Sequence, residues 1–339
     1  MSKDNPSKKN GQTAQNQTNG SRPGFRLIDL EHHFMPPFWL DAVKEQLAAQ
    51  AQGFLPPAVK SWTPDKSIEA MDRTNVATSF VTVSTPGVWF GDVQAARELS
   101  RKCNEYAARM VKDYPGRFGS FATTALPDIE GSLKEIEYAL DQLEADGICL
   151  QSSYGDKWLG DPSFDPVFEE LDRRKAIIYC HPTAPAACRT LIPWVPQPVL
   201  EFPFDTTRTV ASLLYSGTLN RFKNIRYIFA HAGGAVPMLA GRIAALGAGV
   251  RKELAEKVPN GVEYELKRLY WEVAGATNRP AMAALMNFAA LDHIMFGSDF
   301  PFVPIEATAF GLNQVGLGQK ELERIANTNA AALFPKYAA

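Results

Sequence analysis

Residues 25–33 read FRLIDLEHH, an apolar run that passes directly into a glutamate and two histidines. The pattern predicts a strand over 25–29. In an extended continuation, alternation of side chains sends Glu31 and His33 to one face and His32 to the other. The same junction recurs downstream. Residues 176–181 (AIIYCH) bring His181 to the end of a strand candidate, residues 225–231 (IRYIFAH) do so for His231, and residues 293–299 (HIMFGSD) for Asp299.

Outward from these junctions, strand patterns fall at 25–29, 78–84, 118–123, 147–151, 176–180, 225–230, 268–273 and 293–297. Helix-period stretches lie between them at 92–113, 129–143, 164–173, 206–222, 235–256 and 279–288. Eight βα units predict a (β/α)8 TIM barrel, read as one domain over residues 24–339. Residues 1–23 are almost devoid of apolar side chains and read as a disordered polar tail. A barrel gathers its catalytic groups at the C-terminal strand ends, so Glu31, His33, His181, His231 and Asp299 are expected on one face. Two proline-rich connections, 34–65 and 183–203, read as loops that cover that face.

Composition narrows the partners. The 339 residues carry 35 basic against 37 acidic side chains, a net charge of -2, which offers no footprint for nucleic acid or an anionic membrane. No apolar run reaches the ~20 residues of a bilayer span, and the N-terminal residues lack a signal peptide's apolar centre, so a cytoplasmic location is expected. The four cysteines form no C-x-x-C pair and read as reduced thiols, with Cys149 and Cys180 buried in strands. A small-molecule substrate is the expected partner.

Glu31, His33, His181 and Asp299 together offer oxygen and nitrogen donors suited to one divalent cation, Zn²⁺ first, with Mn²⁺ or Fe²⁺ as alternatives. Singly, each has a plainer reading: a strand-end histidine is often structural, and an Asp after Gly-Ser is often a helix cap. Their shared placement favours the metal. Trp89, Phe90, Trp194, Phe300 and Phe302 follow strand candidates and are candidate walls of an apolar slot, each with ordinary packing as the alternative. Arg208 either reads a substrate hydroxyl or pairs with Asp205.

Four segments carry a resemblance: DLEHHF (29–34), YCHPT (179–183), FAHAGGAVP (229–237) and FGSDFPF (296–302). They resemble the signatures of the decarboxylase branch of the amidohydrolase superfamily, which includes aminocarboxymuconate-semialdehyde, γ-resorcylate, 2,3-dihydroxybenzoate and 6-methylsalicylate decarboxylases. Segments 84–92 (STPGVWFGD) and 154–162 (YGDKWLGDP) resemble the 6-methylsalicylate group most. The resemblance implies that Glu31, His33, His181 and Asp299 hold the metal and that His231 is a general acid/base beside it. It implies that Arg242 reaches the substrate carboxylate of a neighbouring subunit, hence a homodimer, with a surface salt bridge as the plainer reading. Glu31 departs from the histidine of the 6-methylsalicylate group and matches the dihydroxybenzoate form. A second substrate arginine has no counterpart here, which disfavours a dicarboxylate.

The expected activity is non-oxidative decarboxylation of a hydroxylated aromatic acid, with Asp299 or His231 delivering the proton and no organic cofactor. The same site also suits a metal-dependent hydrolase of a lactone, ester or amide, and a non-catalytic barrel is a third reading.

Overall fold

A computed structural model of the chain describes residues 25–53, 55–250 and 252–338, so the expected tail over 1–23 lies outside the described residues. Ten strands run in chain order: β1 (Leu27–His33), β2 (Val76–Thr82), β3 (Phe118–Thr123), β4 (Gly147–Gln151), β5 (Ser153–Tyr154), β6 (Lys157–Trp158), β7 (Ile177–His181), β8 (Arg226–Phe229), β9 (Tyr270–Glu272) and β10 (Ile294–Met295). Eight of them pair in parallel in the order β1-β2-β3-β4-β7-β8-β9-β10, with helices between. β5 and β6 form a small antiparallel hairpin.

The sheet curls until its first strand meets the segment that follows its last. Leu30 N–H donates to Phe296 O at 3.0 Å, Asp299 N–H to Glu31 O at 2.8 Å and His33 N–H to Phe300 O at 2.7 Å. These bonds satisfy edge groups that an open sheet would leave unpaired. The result is the expected (β/α)8 barrel.

Side chains fill the barrel in two layers of packing. Ile28, Leu30, Phe80, Phe121, Tyr179 and Met295 belong to the interior cluster. From the C-terminal segment, Phe334 and Tyr337 pack on Phe80 at 4.3 and 5.0 Å between ring centroids and close that cluster. A larger apolar cluster lies between strands and helices, with Trp39, Phe168, Leu213 and Leu285 fully buried. Cys149 and Cys180 are buried free thiols, as expected.

The proline-rich connections differ from their expectation. Residues 34–65 contain the helix Pro37–Gln50, in which Pro37 takes the first helical position, where a missing N–H costs nothing. The second connection ends in the helix Gln197–Ser216, which starts on Pro196 and Gln197-Pro198 and continues through Pro203. Proline inside a helix removes one backbone bond. Here the Pro203 carbonyl still accepts the Thr207 hydroxyl at 2.8 Å, and Pro203 itself faces the central cavity.

Candidate active site

A break in strand register aims the first two donors. β1 pairs with β2 through Asp29↔Ser79 and then His32↔Val81, so one extra residue of β1 is accommodated between them. Such a bulge switches which side chains point inward. Ile28 and Leu30 fill the barrel, whereas beyond the bulge Glu31 and His33 join the site. His32 turns away as alternation requires. Its ring bonds Asp29 at 3.1 Å and Ser67 at 2.9 Å and stacks on Phe300. The fully buried Asp29 also accepts from the Ser298 N–H at 2.9 Å and its hydroxyl at 2.6 Å, which ties the bulge to the turn carrying Asp299.

Glu31, His33, His181 and Asp299 come together, with one ligand atom of each within 4.8 Å of the others. His33 Nε2 lies 3.2 Å from Asp299 Oδ1 and 3.9 Å from Glu31 Oε1, and His181 Nε2 lies 3.5 Å from Glu31 Oε1. His231 Nε2 lies 3.5 Å from the same oxygen. Each of the three rings turns Nδ1 to a backbone carbonyl: His33 to Thr82 at 3.2 Å, His181 to Pro182 at 2.8 Å and His231 to Ala274 at 3.0 Å. A carbonyl only accepts, so Nδ1 carries the proton and Nε2 presents its lone pair toward the cluster.

The donor set fits a cation. Glu31 Oε1, Glu31 Oε2 and His33 Nε2 are buried without hydrogen-bond partners, an arrangement that is costly unless something else satisfies them. Burial, and then the Asp299 charge, push Glu31 well above the usual carboxyl range. Burial, and then the neighbouring His33 and His231, hold His181 well below the usual imidazole range, in its metal-binding neutral form. A divalent ion reverses the penalty on the carboxylates.

Over the cluster opens a cavity of about 730 Å³, reached by His181, His231 and Asp299. Leu47, Leu55, Val199, Phe202 and Phe302 supply apolar walls, and no lysine or arginine lines it among the described residues. Phe302 also meets the His33 ring edge-on at 5.6 Å.

Of the other residues singled out from sequence, Phe302 alone lies in this wall. Trp89 lines a separate, smaller cleft beside Gln151 and Tyr154, and Phe90 lines another with Phe38 and is 40% exposed. Trp194 is 79% exposed. Phe300 packs behind the site on His32. Arg208 is outside the cavity lining, with Glu201 at 3.7 Å and Asp205 at 3.8 Å, in line with the pairing alternative. Asp205 itself accepts from Ser152, Ser153 and Trp158. Arg242 is exposed on the helix Val236–Val250, away from its own chain's cavity. These side chains depart from the expected slot because strand-end loops leave in different directions, which their composition does not encode.

Sequence reasoning passed over Glu272, a fully buried carboxylate at the end of β9. An acidic residue closing an otherwise apolar strand was the available signal. It also passed over Leu47 and Phe202, which reach the cavity from helices that had been read as loops.

The amidohydrolase family model matches residues 28–336. The chain is 34% identical over 328 residues to decarboxylase yanB of Aspergillus niger, covering 91% of this chain and 88% of that protein. It is 34% identical over 317 residues to 6-methylsalicylic acid decarboxylase of Penicillium expansum, covering 91% and 96%. A dihydroxybenzoic acid decarboxylase from Polaromonas, solved with bound manganese and the inhibitor 2-nitroresorcinol, superposes with a TM-score of 0.80 at 21% identity, covering 93% of this chain and 98% of that one. With nearly the whole barrel matched and two relatives above 30% identity, the chain belongs to the amidohydrolase family.

Proposed function

We propose that the protein is a metal-dependent, non-oxidative decarboxylase of a hydroxylated aromatic monocarboxylic acid of the salicylate type, releasing CO2 and a phenol. The observation that carries this reading is a set of buried, unpartnered donor atoms on Glu31 and His33 beneath an apolar cavity that, among the described residues, no lysine or arginine lines. Decarboxylases among the relatives support it. Within one chain, such a cavity offers a single carboxylate its counter-charge only at the cluster.

A divalent cation held by Glu31, His33, His181 and Asp299 supplies positive charge that orients and polarises the substrate's carboxylate and adjacent phenolic oxygen. The two-nitrogen, two-oxygen donor set suits Zn²⁺ or Mn²⁺, and manganese in the Polaromonas neighbour supports the latter. Phe302 and Phe202 flank the ring and exclude water. His231 or Asp299, acting as general acid, gives a proton to the ring carbon bearing the carboxylate, which becomes tetrahedral. The bond from that carbon to the carboxylate then breaks, its electron pair restores aromaticity, and CO2 leaves. Both proton donors reach the cavity.

The test is CO2 release from a panel of salicylates, resorcylates and benzoates, before and after chelation. Chelation is expected to abolish release, and Mn²⁺ or Zn²⁺ to restore it. H231A and D299N are each expected to lose about 10²–10⁴-fold in kcat. Near-normal rates in either variant remove that residue from its role, and a ring-opened acid in place of a phenol makes the enzyme a hydrolase.

We also propose a homodimer. Arg242 is exposed and outside its own cavity, so a contact between its guanidinium and a substrate carboxylate requires a second copy. Sedimentation is expected to give a dimer, with R242A raising KM more than it lowers kcat. A fully active monomer refutes this.

A further inference from the structure

We propose that Glu272 is a positioning residue for His231, holding the imidazole in place through the backbone N–H groups of the two residues, His231 and Ala274, that carry and orient it. The proposal rests on the reading of His231 as the acid/base group. Glu272 ends β9 with no exposed surface. Its Oε1 accepts the backbone N–H of His231, and its Oε2 accepts the N–H of Ala274 at 2.7 Å. The Ala274 carbonyl in turn accepts His231 Nδ1 at 3.0 Å. One carboxylate therefore holds the backbone of both residues of the ring's attachment: His231, which carries it, and Ala274, whose carbonyl orients it.

The grip has strain to resist. His231, Ala232, Gly233 and Gly234 follow one another with φ of 54°, 56°, 71° and 63°. For the two non-glycine residues the left-handed region is unfavourable and persists only where the surroundings over-determine it. β9 supplies that constraint from two adjacent positions. The Trp271 ring packs so closely on Gly233 that a Cβ there would collide with it, and Glu272 holds the amide at the start of the turn. Gly297 leaves the room that Glu272 occupies, since a Cβ on Gly297 would run into its carboxylate.

Packing alone does not account for a carboxylate here. A fully buried acid beside a second one, Glu31, is an expensive way to fill space. Its two oxygens are instead matched to two amides, both belonging to the His231 tether. The rival assignment is a ligand of a second cation, because Glu31, His231 and Glu272 also bring ligand atoms within 4.8 Å of one another.

E272Q keeps the side-chain volume but replaces one acceptor by an NH2 group that faces an N–H. The chain has five histidines, so ring-nitrogen NMR on ¹⁵N-histidine protein is tractable, and comparison with H231A assigns the His231 signals. In E272Q the His231 Nδ1–H signal is expected to move or to vanish into solvent exchange, in metal-free as well as metal-loaded protein. Loaded enzyme is expected to lose about 10–100-fold in kcat. KM should change less than about threefold, as for an interaction realised in the transition state, and metal content should stay at one ion per chain. E272D, one methylene short of spanning both amides, is expected to displace the same signal and covers the case in which E272Q does not fold. Unchanged His231 signals with kcat within about twofold of the parent overturn the proposal. Loss of a metal equivalent in E272Q also overturns it, making Glu272 a ligand. Near-normal turnover in H231A defeats the catalytic reading of His231, while the NMR comparison still decides whether Glu272 sets its ring.

Discussion

Asp29 shows how one side chain specifies a site it does not enter. Fully buried, it accepts from the Glu31 N–H, from both the amide and the hydroxyl of Ser298, and bonds the His32 ring. It thereby fixes the bulge that aims Glu31 and the turn that aims Asp299. D29A strips the partners from several buried donors at once, each worth roughly 1–3 kcal/mol when orphaned. We expect it to destabilise the protein by about 3 kcal/mol or more in denaturant unfolding and to weaken metal retention together with stability. A D29A variant with parental stability would show that the bulge holds without its clamp.

At the level of elements, the sequence was most readable where local pattern and final structure coincide. Phe118–Thr123 and Gly147–Gln151 form over the residues their patterning assigns, and the clustering of Glu31, His33, His181 and Asp299 follows because they are tied to strand ends. Elsewhere context prevailed. Pro37 and Pro198 read as helix breakers, yet both lie in the first turn of a helix, where proline fits. Trp89, Phe90 and Trp194 looked like cavity walls because they are aromatic and follow strands, but a loop's direction depends on packing far along the chain. Glu272 carries only a weak local signal, an acid closing an apolar strand, and that signal does not say what the acid holds. Its meaning lies in the amides of residues 231 and 274, and no local pattern announces them.

For the whole molecule, the buried cluster couples metal, pH and stability. In metal-free protein, burial and then the Asp299 charge raise Glu31, while burial and then Glu31 raise Glu272. Both favour the protonated, folded form below the ordinary carboxyl range and lose that contribution as pH rises through their elevated values. His181, depressed by burial, acts oppositely and only at pH below the ordinary imidazole value. Above the ordinary imidazole value His181 no longer opposes the two carboxyls, so the melting temperature of chelated protein is expected to fall as pH rises from about 6.5 to about 8. Saturating Mn²⁺ or Zn²⁺ should flatten that slope by holding the carboxylates ionised. Calorimetry across this range checks it, and equal slopes with and without metal would refute it.

The seam between β1 and β10 has a consequence for biosynthesis. The two acidic donors, Glu31 and Asp299, sit on either side of it and are separated by nearly the whole described chain. A polypeptide still emerging from the ribosome holds Glu31 and His33 long before Asp299 exists, so the four proposed ligands come together only in a chain long enough to seal the barrel.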